Sequence, residues 1–182
     1  MPLLHCTRKL LKEMGASPTA ADRVPPDDSK WGPWYANLFF VDHRKCILFV
    51  HGRSLASFIV GGLTRVEMKN ISTVFRNGFG RYLLQEDFPT PLIETLLSEY
   101  RDMVPATAHD RSVQGSMNDL TANYKYQIPV MGSLKSEELA DVIRDLNRMP
   151  MGAIKYAYAV EEFRAMLGLE RRVQESGMIN GL

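Results

Sequence analysis

The sequence predicts an α+β fold, a single domain in which a central antiparallel β-meander is packed by five or six helices. Three runs rich in apolar and aromatic residues, 34–41, 46–50 and 55–60, follow one another with short polar turns between them, as in an antiparallel meander. The first two runs are apolar at consecutive positions, so both of their faces are expected to be covered by helices or other structure. Further segments repeat apolar residues every three or four positions, which is typical of amphipathic helices.

The chain is expected to begin with a short strand followed at once by a helix. Leu3 and Leu4 form the strand, Thr7 is a good N-cap, and Gly15 is a good C-terminal residue for the helix between them. Residues 16–33 are rich in Pro, Ala, Ser and Asp and show no periodicity. We therefore expect a long, mobile loop there before the meander starts.

Two helices are predicted directly after the meander. Thr64 and Glu67 have the spacing of a capping box, and the apolar residues that follow recur at helical spacing as far as about Gln85. Thr90 as N-cap, with Pro91 at the first helical position, starts the second helix.

The remaining chain predicts two strands and three helices. Val104, Ala106 and Ala108 alternate as in a strand, a helix follows from about Val113, and Ser136 caps another helix.

Residues 149–152 end that helix, and the alternating apolar residues of 154–160 predict a short strand before a last helix. Residues 174–182 resemble a frayed tail, so we expect the single domain to span residues 1–173.

Composition and charge limit the classes of function that the protein can have. The chain has 182 residues, of which 45% are hydrophobic and 24% charged, and this is typical of one soluble globular domain. Lys and Arg (22) nearly balance Asp and Glu (21), so there is no global field to attract nucleic acid or an anionic membrane. No apolar run is long enough to cross a bilayer, and the N-terminus lacks the order of a signal peptide. We expect a cytoplasmic protein that does not contact a membrane.

The cysteines and histidines are scattered. Cys6 and Cys46 have neither zinc-site spacing nor the density of a secreted disulfide framework, so reduced, buried thiols are expected, with no metal and no cofactor. His5 cannot activate Cys6, because adjacent residues on a strand point to opposite faces. A catalytic thiol would need His51 or His109 brought close by the fold, and an inert thiol is favoured.

The densest polar run lies between His109 and Asp119. If Ser112 is the N-cap of the helix there, free N–H groups at the helix start would lie beside the guanidinium of Arg111, which is an arrangement that binds phosphate or carboxylate. Asn118 and Asp119 would then hold a water, a metal or a hydroxyl group. The candidate ligand-binding residues are His109, Arg111, Ser112, Ser116, Asn118 and Asp119.

A structural interpretation of the same run is simpler. Ser112 caps the helix, Arg111 pairs with Asp110 or Asp119, and the face that carries the small residues packs on the sheet. The sequence favours this interpretation, because capping and close helix packing are commoner than ligand sites.

Nucleic-acid binding has weaker support. Basic residues in the predicted turns and on the long helix, with aromatic residues nearby, could form a local patch. The basic residues are Arg44, Lys45, Arg53, Arg65, Lys69, Arg76 and Arg81, and the aromatic ones are Trp31, Trp34 and Tyr35. A solvated helix face is favoured instead, because acidic residues are interspersed and the net charge is +1.

Several blocks of the sequence resemble a family of short bacterial proteins known as a domain of unknown function. The blocks are residues 4–7 (LHCT) with 9–11, residues 34–38 (WYANL), residues 45–50 (KCILFV) and residues 111–119 (RSVQGSMND). The resemblance implies a bacterial, cytosolic, single-domain protein. It implies no activity, so no catalytic role is carried over to any residue.

No phosphate-binding loop, dinucleotide fingerprint, HExxH or GxSxG motif occurs. The leading hypothesis is therefore an interaction or regulatory module that contacts another protein, or a second copy of itself, through exposed aromatic residues between Trp31 and Tyr35. The alternative is an enzyme or small-ligand binder that takes an anionic small molecule at Arg111. Whether the protein is an enzyme stays open.

Overall fold

The computed structural model describes residues 1–131, 134 and 137–172, and within them a five-stranded sheet has the order β4-β3-β2-β1-β5. The strands are β1 (Leu3–Cys6), β2 (Trp34–Val41), β3 (Arg44–His51), β4 (Ser57–Gly61) and β5 (Val104–Thr107). The antiparallel meander β2-β3-β4 is confirmed. The sheet is nevertheless mixed, because β1 pairs in parallel with both β2 and β5.

The first hairpin is tighter than predicted. Its turn consists of Asp42 and His43 alone, and both have positive φ, at 48° and 62°. Two such residues form the type of turn whose twist matches a β-hairpin, so β3 begins already at Arg44.

Eight helices lie in the described part of the chain, compared with the five or six predicted. They are α1 (Arg8–Met14), α2 (Pro18–Asp22), α3 (Arg65–Met68), α4 (Ile71–Gln85), α5 (Thr90–Glu99), α6 (Arg111–Met131), α7 (Glu138–Leu146) and α8 (Ala159–Met166). The predicted α+β class is confirmed.

One additional helix, α2, lies inside the segment 16–33 that the sequence predicts to be a loop. Ser17 caps it by accepting the N–H of Ala20 at 3.4 Å. Beyond α2, the Tyr100 hydroxyl donates to the carbonyl of Gly32 at 2.8 Å. The mobility of this segment stays a prediction.

The other additional helix arises because the predicted helix from Thr64 to Gln85 is two helices. The capping box is present, since the Glu67 carboxylate accepts the N–H of Thr64 at 2.7 Å, but α3 ends after Met68. Asn70, with φ of −114°, leaves the helical conformation and α4 starts after it. Buried Met68 and Ile71 keep helical spacing across the break, which is why the pattern did not reveal it.

The predicted strand at 154–160 is wrong. A short 3₁₀ helix (Gly152–Ile154) is followed by Lys155 and Tyr156 at positive φ, and α8 begins at Ala159. Tyr156 is 75% exposed, so the alternation of aromatic residues did not reflect a buried face.

One smaller difference concerns a helix end, since Pro89, and not Thr90, is the N-cap of α5. The predicted N-cap Ser136 and the predicted tail 174–182 lie outside the described residues.

Helices cover both faces of the sheet. On one face, the Trp34 indole packs against aromatic rings of α4 and α8, with centroid distances of 5.0 Å to Phe79 and 5.9 Å to Phe163. On the other face α6 crosses the sheet, and its Tyr124 hydroxyl lies 3.0 Å from the Ser57 hydroxyl of β4. In the described part of the chain, no helix combines the length and apolar character needed to cross a membrane.

Candidate functional site

The start of α6 does not offer the free N–H groups that the anion-site hypothesis requires. The Asp110 carboxylate accepts the N–H groups of Ser112 at 2.9 Å and of Val113 at 3.0 Å. Asp110 is therefore the residue that caps α6, and Ser112 lies within its first turn. This part of the prediction is wrong, because a carboxylate of the chain itself already occupies the position of the anion.

The six candidate residues do not converge on one point. Ser116 is 8% exposed, whereas Arg111, Ser112, Asn118 and Asp119 are exposed. Along the continuous helix α6, Ser112, Ser116 and Asp119 share one side, because they lie four and three residues apart. Arg111 and Asn118, seven residues apart, share another side.

His109 is exposed and lies 3.6 Å from a carboxylate oxygen of Asp22 in α2. Ligand binding by any of the six residues stays a prediction.

The thiols and histidines form no catalytic pair. Cys6 and Cys46 are both fully buried, and burial raises the pKa of each thiol, which opposes formation of a thiolate. His5 stacks on Tyr35 with 4.9 Å between ring centroids. His51 is fully buried and donates from Nε2 to the carbonyl of Trp31 at 3.0 Å. Among the described residues, no three His, Cys, Asp or Glu side chains gather as metal ligands.

Of the three aromatic residues between Trp31 and Tyr35, Trp31 is half-buried and the other two are buried. Trp34 is 0% exposed and Tyr35 is 7% exposed, since both belong to β2 at the centre of the sheet. They can neither stack on bases nor contact a partner. The exposure on which the interaction hypothesis depended is therefore wrong for these two residues.

A different feature is the edge of β4, where the described part of the chain leaves some outward backbone groups without a partner. In the register of β3 and β4, the residues that exchange hydrogen bonds with β3 are Phe58 and Val60. The N–H and C=O groups of Ser57, Ile59 and Gly61 therefore point away from the sheet. Asn147 occupies both groups of Ser57. For Ile59 and Gly61, the part of the chain that the structure describes supplies no backbone hydrogen bond on that side.

This edge forms the floor of a cavity of 510 Å³ between α4 and α7. The lack of a side chain at Gly78 allows α4 to pack closely on β4, since a Cβ at this position would lie 2.5 Å from Cγ2 of Val60. The opposite wall is formed by Leu134, whose side chain lies against Gly61, and by α7 through Leu139, Ala140 and Ile143. Ile59, at the bottom, is only 4% exposed, so the edge is recessed.

A second cavity, of 680 Å³, continues from the first along α4 towards α3. Both cavities are lined by Val60 and Arg81, where they meet. The second cavity has an apolar side, formed by Val60, Leu63 and Val66, and a polar side on α4, formed by Asn70, Thr73, Asn77 and Arg81. We name the two cavities together the edge groove.

The length of the edge groove suits a short extended chain. It follows α4 from Asn70 to Gln85, which at a rise of 1.5 Å per residue is roughly 22 Å. An extended polypeptide advances about 3.3 Å per residue, so about six or seven residues would fill the groove.

Three charged side chains line the edge groove, namely Arg81, Glu67 and Glu137. Arg81 is exposed, and among the described residues no carboxylate lies within ion-pair distance of it. Glu67 lines the α3 end, and Glu137 lines the same cavity as Arg81. Hydrogen bonds from the backbone and hydroxyl of Thr64 lower the pKa of Glu67, so this carboxylate is charged and already engaged.

The edge groove is not predicted by any local sequence pattern. Arg81 was expected on a solvated helix face and β4 was expected as a strand, but the spatial order of the strands was not predicted. Only the weakness of Gly78 in a helix is a local signal of close packing there.

Comparisons with known proteins give a family and no activity. No curated protein matches this chain. The model of a family described as a domain of unknown function, DUF6933, matches residues 3–162. The match confirms the resemblance to an uncharacterised family, while bacterial origin and the individual sequence blocks as family motifs stay predictions. Since the match covers most of the sequence, the chain belongs to the family of this domain of unknown function, DUF6933.

Proposed function

We propose that the protein binds an extended segment of another polypeptide in the edge groove, where the segment is added as a strand to β4. The observation that carries this proposal is the outward backbone of Ile59 and Gly61, which no described residue pairs, at the floor of a groove walled by α4 and α7. An extended polypeptide supplies donors and acceptors at the spacing of these groups. The protein would thus be an interaction module.

Asn147 provides an internal example of this recognition. Its carboxamide is chemically a peptide group, and it pairs with both the N–H and the C=O of Ser57 at the same edge. Because Ser57 is occupied, the ladder to a bound segment would include Ile59 and Gly61 and end before Ser57.

The backbone ladder alone does not give useful affinity. The outward groups of Ile59 and Gly61 allow at most four hydrogen bonds, which contribute about 2–6 kcal/mol in total. Micromolar binding requires about 8 kcal/mol. The apolar side of the groove, formed by Val60, Leu63 and Val66, must therefore contribute by covering apolar side chains of the segment.

A second copy of this chain does not fit the edge through its own β4. In each copy, α4 and α7 stand on either side of the strand and Ile59 is nearly covered. Two recessed edges cannot approach to the spacing of about 4.8 Å that strand pairing needs. A single narrow strand can enter where a second walled sheet cannot.

The proposal is tested by selecting binders from a displayed library of random peptides of about ten residues, which exceeds the six or seven that the groove accommodates. A selected peptide should slow hydrogen exchange of the Ile59 and Gly61 amides and shift their NMR signals. Ala140→Trp, which fills the groove from α7, should weaken binding at least tenfold. The matched control, Ala122→Trp on the exposed side of α6, should leave the affinity unchanged.

Circular dichroism and thermal melting must show that both tryptophan variants are folded. If no peptide is selected, or if selected peptides bind without protecting the amides of Ile59 and Gly61, the protein does not add a strand at β4. Equal affinity of Ala140→Trp and wild type would lead to the same conclusion.

A further inference from the structure

We infer that the segment bound in the edge groove carries an acidic side chain, Asp or Glu, which pairs with Arg81. This inference rests on the proposed function and specifies its partner. It assigns to one side chain of α4 a role in selecting among extended polypeptides.

The position of Arg81 in the edge groove supports this inference. It lies where the two cavities of the edge groove meet, so a segment that runs the length of the groove must pass it. Asn77 and Gln85 lie one turn before and one turn after it on α4, and they line the two cavities. A carboxylate placed there would meet a guanidinium between two amide side chains, all of which are able to donate hydrogen bonds.

The lack of an acidic partner for Arg81 among the described residues also supports this inference. Within the described residues, several basic side chains have an acidic partner, such as Arg148 with Glu86 at 2.7 Å and Arg144 with Asp141 at 3.1 Å. For Arg81 the same residues provide none. A bound segment that displaces water from the groove without supplying an anion would leave this cation desolvated and unpaired, which is unfavourable.

The surroundings of Arg81 also specify the neighbours of the acid. Glu67 lines the α3 end of the groove and would repel a second acidic side chain there, while Glu137 lines the same cavity as Arg81. The wall of Val60, Leu63 and Val66 favours an apolar side chain next to the acid. Because Arg81 lies closer to Gln85 than to Asn70 along α4, the preferred segment is extended, with one acidic residue towards the Gln85 end and apolar residues on its α3 side.

A planar guanidinium can hold a carboxylate through two parallel hydrogen bonds, which lysine and neutral side chains cannot do. We therefore expect replacement of the peptide's acid by its amide to weaken binding about tenfold. The loss should depend on Arg81 and on no other arginine of α4.

The test uses fluorescence anisotropy with the peptides from the library selection. Acidic residues should be enriched at one position, and a Glu to Gln change in the peptide should weaken binding to wild type about tenfold. Arg81→Gln should bind both peptides equally, at the weaker level. Arg76→Gln is the matched control, because Arg76 is exposed on the same helix and lines neither cavity, and it should retain the preference.

Reversing the charge at residue 81 provides a second test. Arg81→Glu should prefer a peptide with Lys in place of the acid, and should protect Ile59 and Gly61 on binding as wild type does. Inorganic phosphate at millimolar concentration should not displace the peptide, because a single guanidinium with a backbone ladder selects a chain and not a free ion. Displacement by phosphate would overturn the inference.

Strand addition at β4 and the role of Arg81 can be disproved separately. Peptides that protect the amides of Ile59 and Gly61 but show no acid preference, or an acid preference unchanged in Arg81→Gln, overturn the role of Arg81 and leave strand addition standing. Peptides that depend on Arg81 but do not protect these amides overturn strand addition itself.

Discussion

The side chain of Asn147 pairs with the backbone of Ser57 as a neighbouring strand would. Its Nδ2 donates to the Ser57 carbonyl at 2.7 Å, and its Oδ1 accepts the Ser57 N–H at 2.9 Å. The same carboxamide donates to the Ile143 carbonyl at 2.7 Å and accepts the Tyr82 hydroxyl at 3.3 Å. One buried side chain thereby joins the end of α7 to α4 and to the edge of the sheet.

Replacing Asn147 by alanine should lower the free energy of unfolding by about 2–4 kcal/mol. The change leaves the N–H and C=O of Ser57 buried without partners, and each unsatisfied group costs about 1–3 kcal/mol. Urea denaturation followed by circular dichroism measures the loss. Asn118→Ala, at an exposed position of α6, is the control and should change stability by less than about 0.5 kcal/mol. Equal effects of the two substitutions would show that the pairing with Ser57 contributes little.

Two glycines in helices should respond to alanine in opposite directions. At Gly78 the new Cβ would lie 2.5 Å from Val60 and 2.8 Å from Phe58, so Gly78→Ala should destabilise by about 1–3 kcal/mol despite its better helix propensity. At Gly115 nothing lies within 4 Å of a Cβ, and Gly115→Ala should stabilise by about 0.5–1 kcal/mol. Thermal melting of both variants checks the pair. A stable Gly78→Ala protein would mean that α4 does not press on β4 as closely as the groove requires.

Breaking the ion pair of Arg148 and Glu86 should be costly. Both nitrogens of the guanidinium fork bond to the carboxylate, at 3.0 and 2.7 Å, and Glu86 is 3% exposed. Arg148→Met would leave this carboxylate buried and unpaired, with a loss of about 3–5 kcal/mol at pH 7. The double variant with Glu86→Gln should lose much less than the sum of the two single losses.

A surface pair serves as the control for the buried one. Arg144 and Asp141, 3.1 Å apart, are both exposed, so Arg144→Met should cost at most about 1 kcal/mol. Additive effects in the cycle of Glu86 and Arg148, measured by urea denaturation, would contradict a coupled buried pair.

Stability should fall as the pH is lowered from about 6.5 to 4. Burial is the main cause that lowers the pKa of His51 to about 4, against about 6.5 in the unfolded chain. Between these values the unfolded state binds a proton that the native state does not, so the contribution of His51 is complete above pH 6.5 and is lost on acidification. In total, His51 contributes about 3 kcal/mol to the free energy of unfolding, since each unit of pKa difference corresponds to about 1.4 kcal/mol.

Urea denaturation at several pH values between 4 and 8 measures this slope. His51→Gln should be less stable than wild type at pH 8 but should show a flatter profile on acidification. His5, whose pKa is also lowered by burial, acts in the same direction and remains in both proteins. His43→Asn, in the exposed hairpin turn, should keep the wild-type slope, and an unchanged slope in His51→Gln would show that His51 is not the group that titrates.

Much of the fold was predictable because its signals are local. The capping box of Thr64 and Glu67, the C-terminal glycine at residue 15 and the apolar runs of β2 and β3 each depend on residues within a few positions of one another. The same reliance on local pattern produced the errors. Helical spacing continued across the break at Asn70, and Tyr156 alternated without being buried.

The N-cap of α6, on which the predicted anion site depended, could not be identified from local pattern. Asp110 and Ser112 are both good N-cap residues in sequence, and the extension of β5 decides between them. The N–H of Ala108 donates to the Cys6 carbonyl at 3.0 Å, which holds the chain extended beside β1 and lets α6 begin directly after Asp110. That bond joins residues about a hundred positions apart, so no local pattern reports it.

The sequence by itself determined the α+β class, the meander and most of the helices, because these follow from short-range sterics and hydrogen bonding. It also carried the resemblance to the family. Only the tertiary structure decided that β4 lies at the edge of the sheet, that Trp34 is buried at its centre, and that Arg81 lines the same cavity as the edge of β4. Strand order is set by pairing between distant segments, and the free energy of that pairing is shared across the whole core.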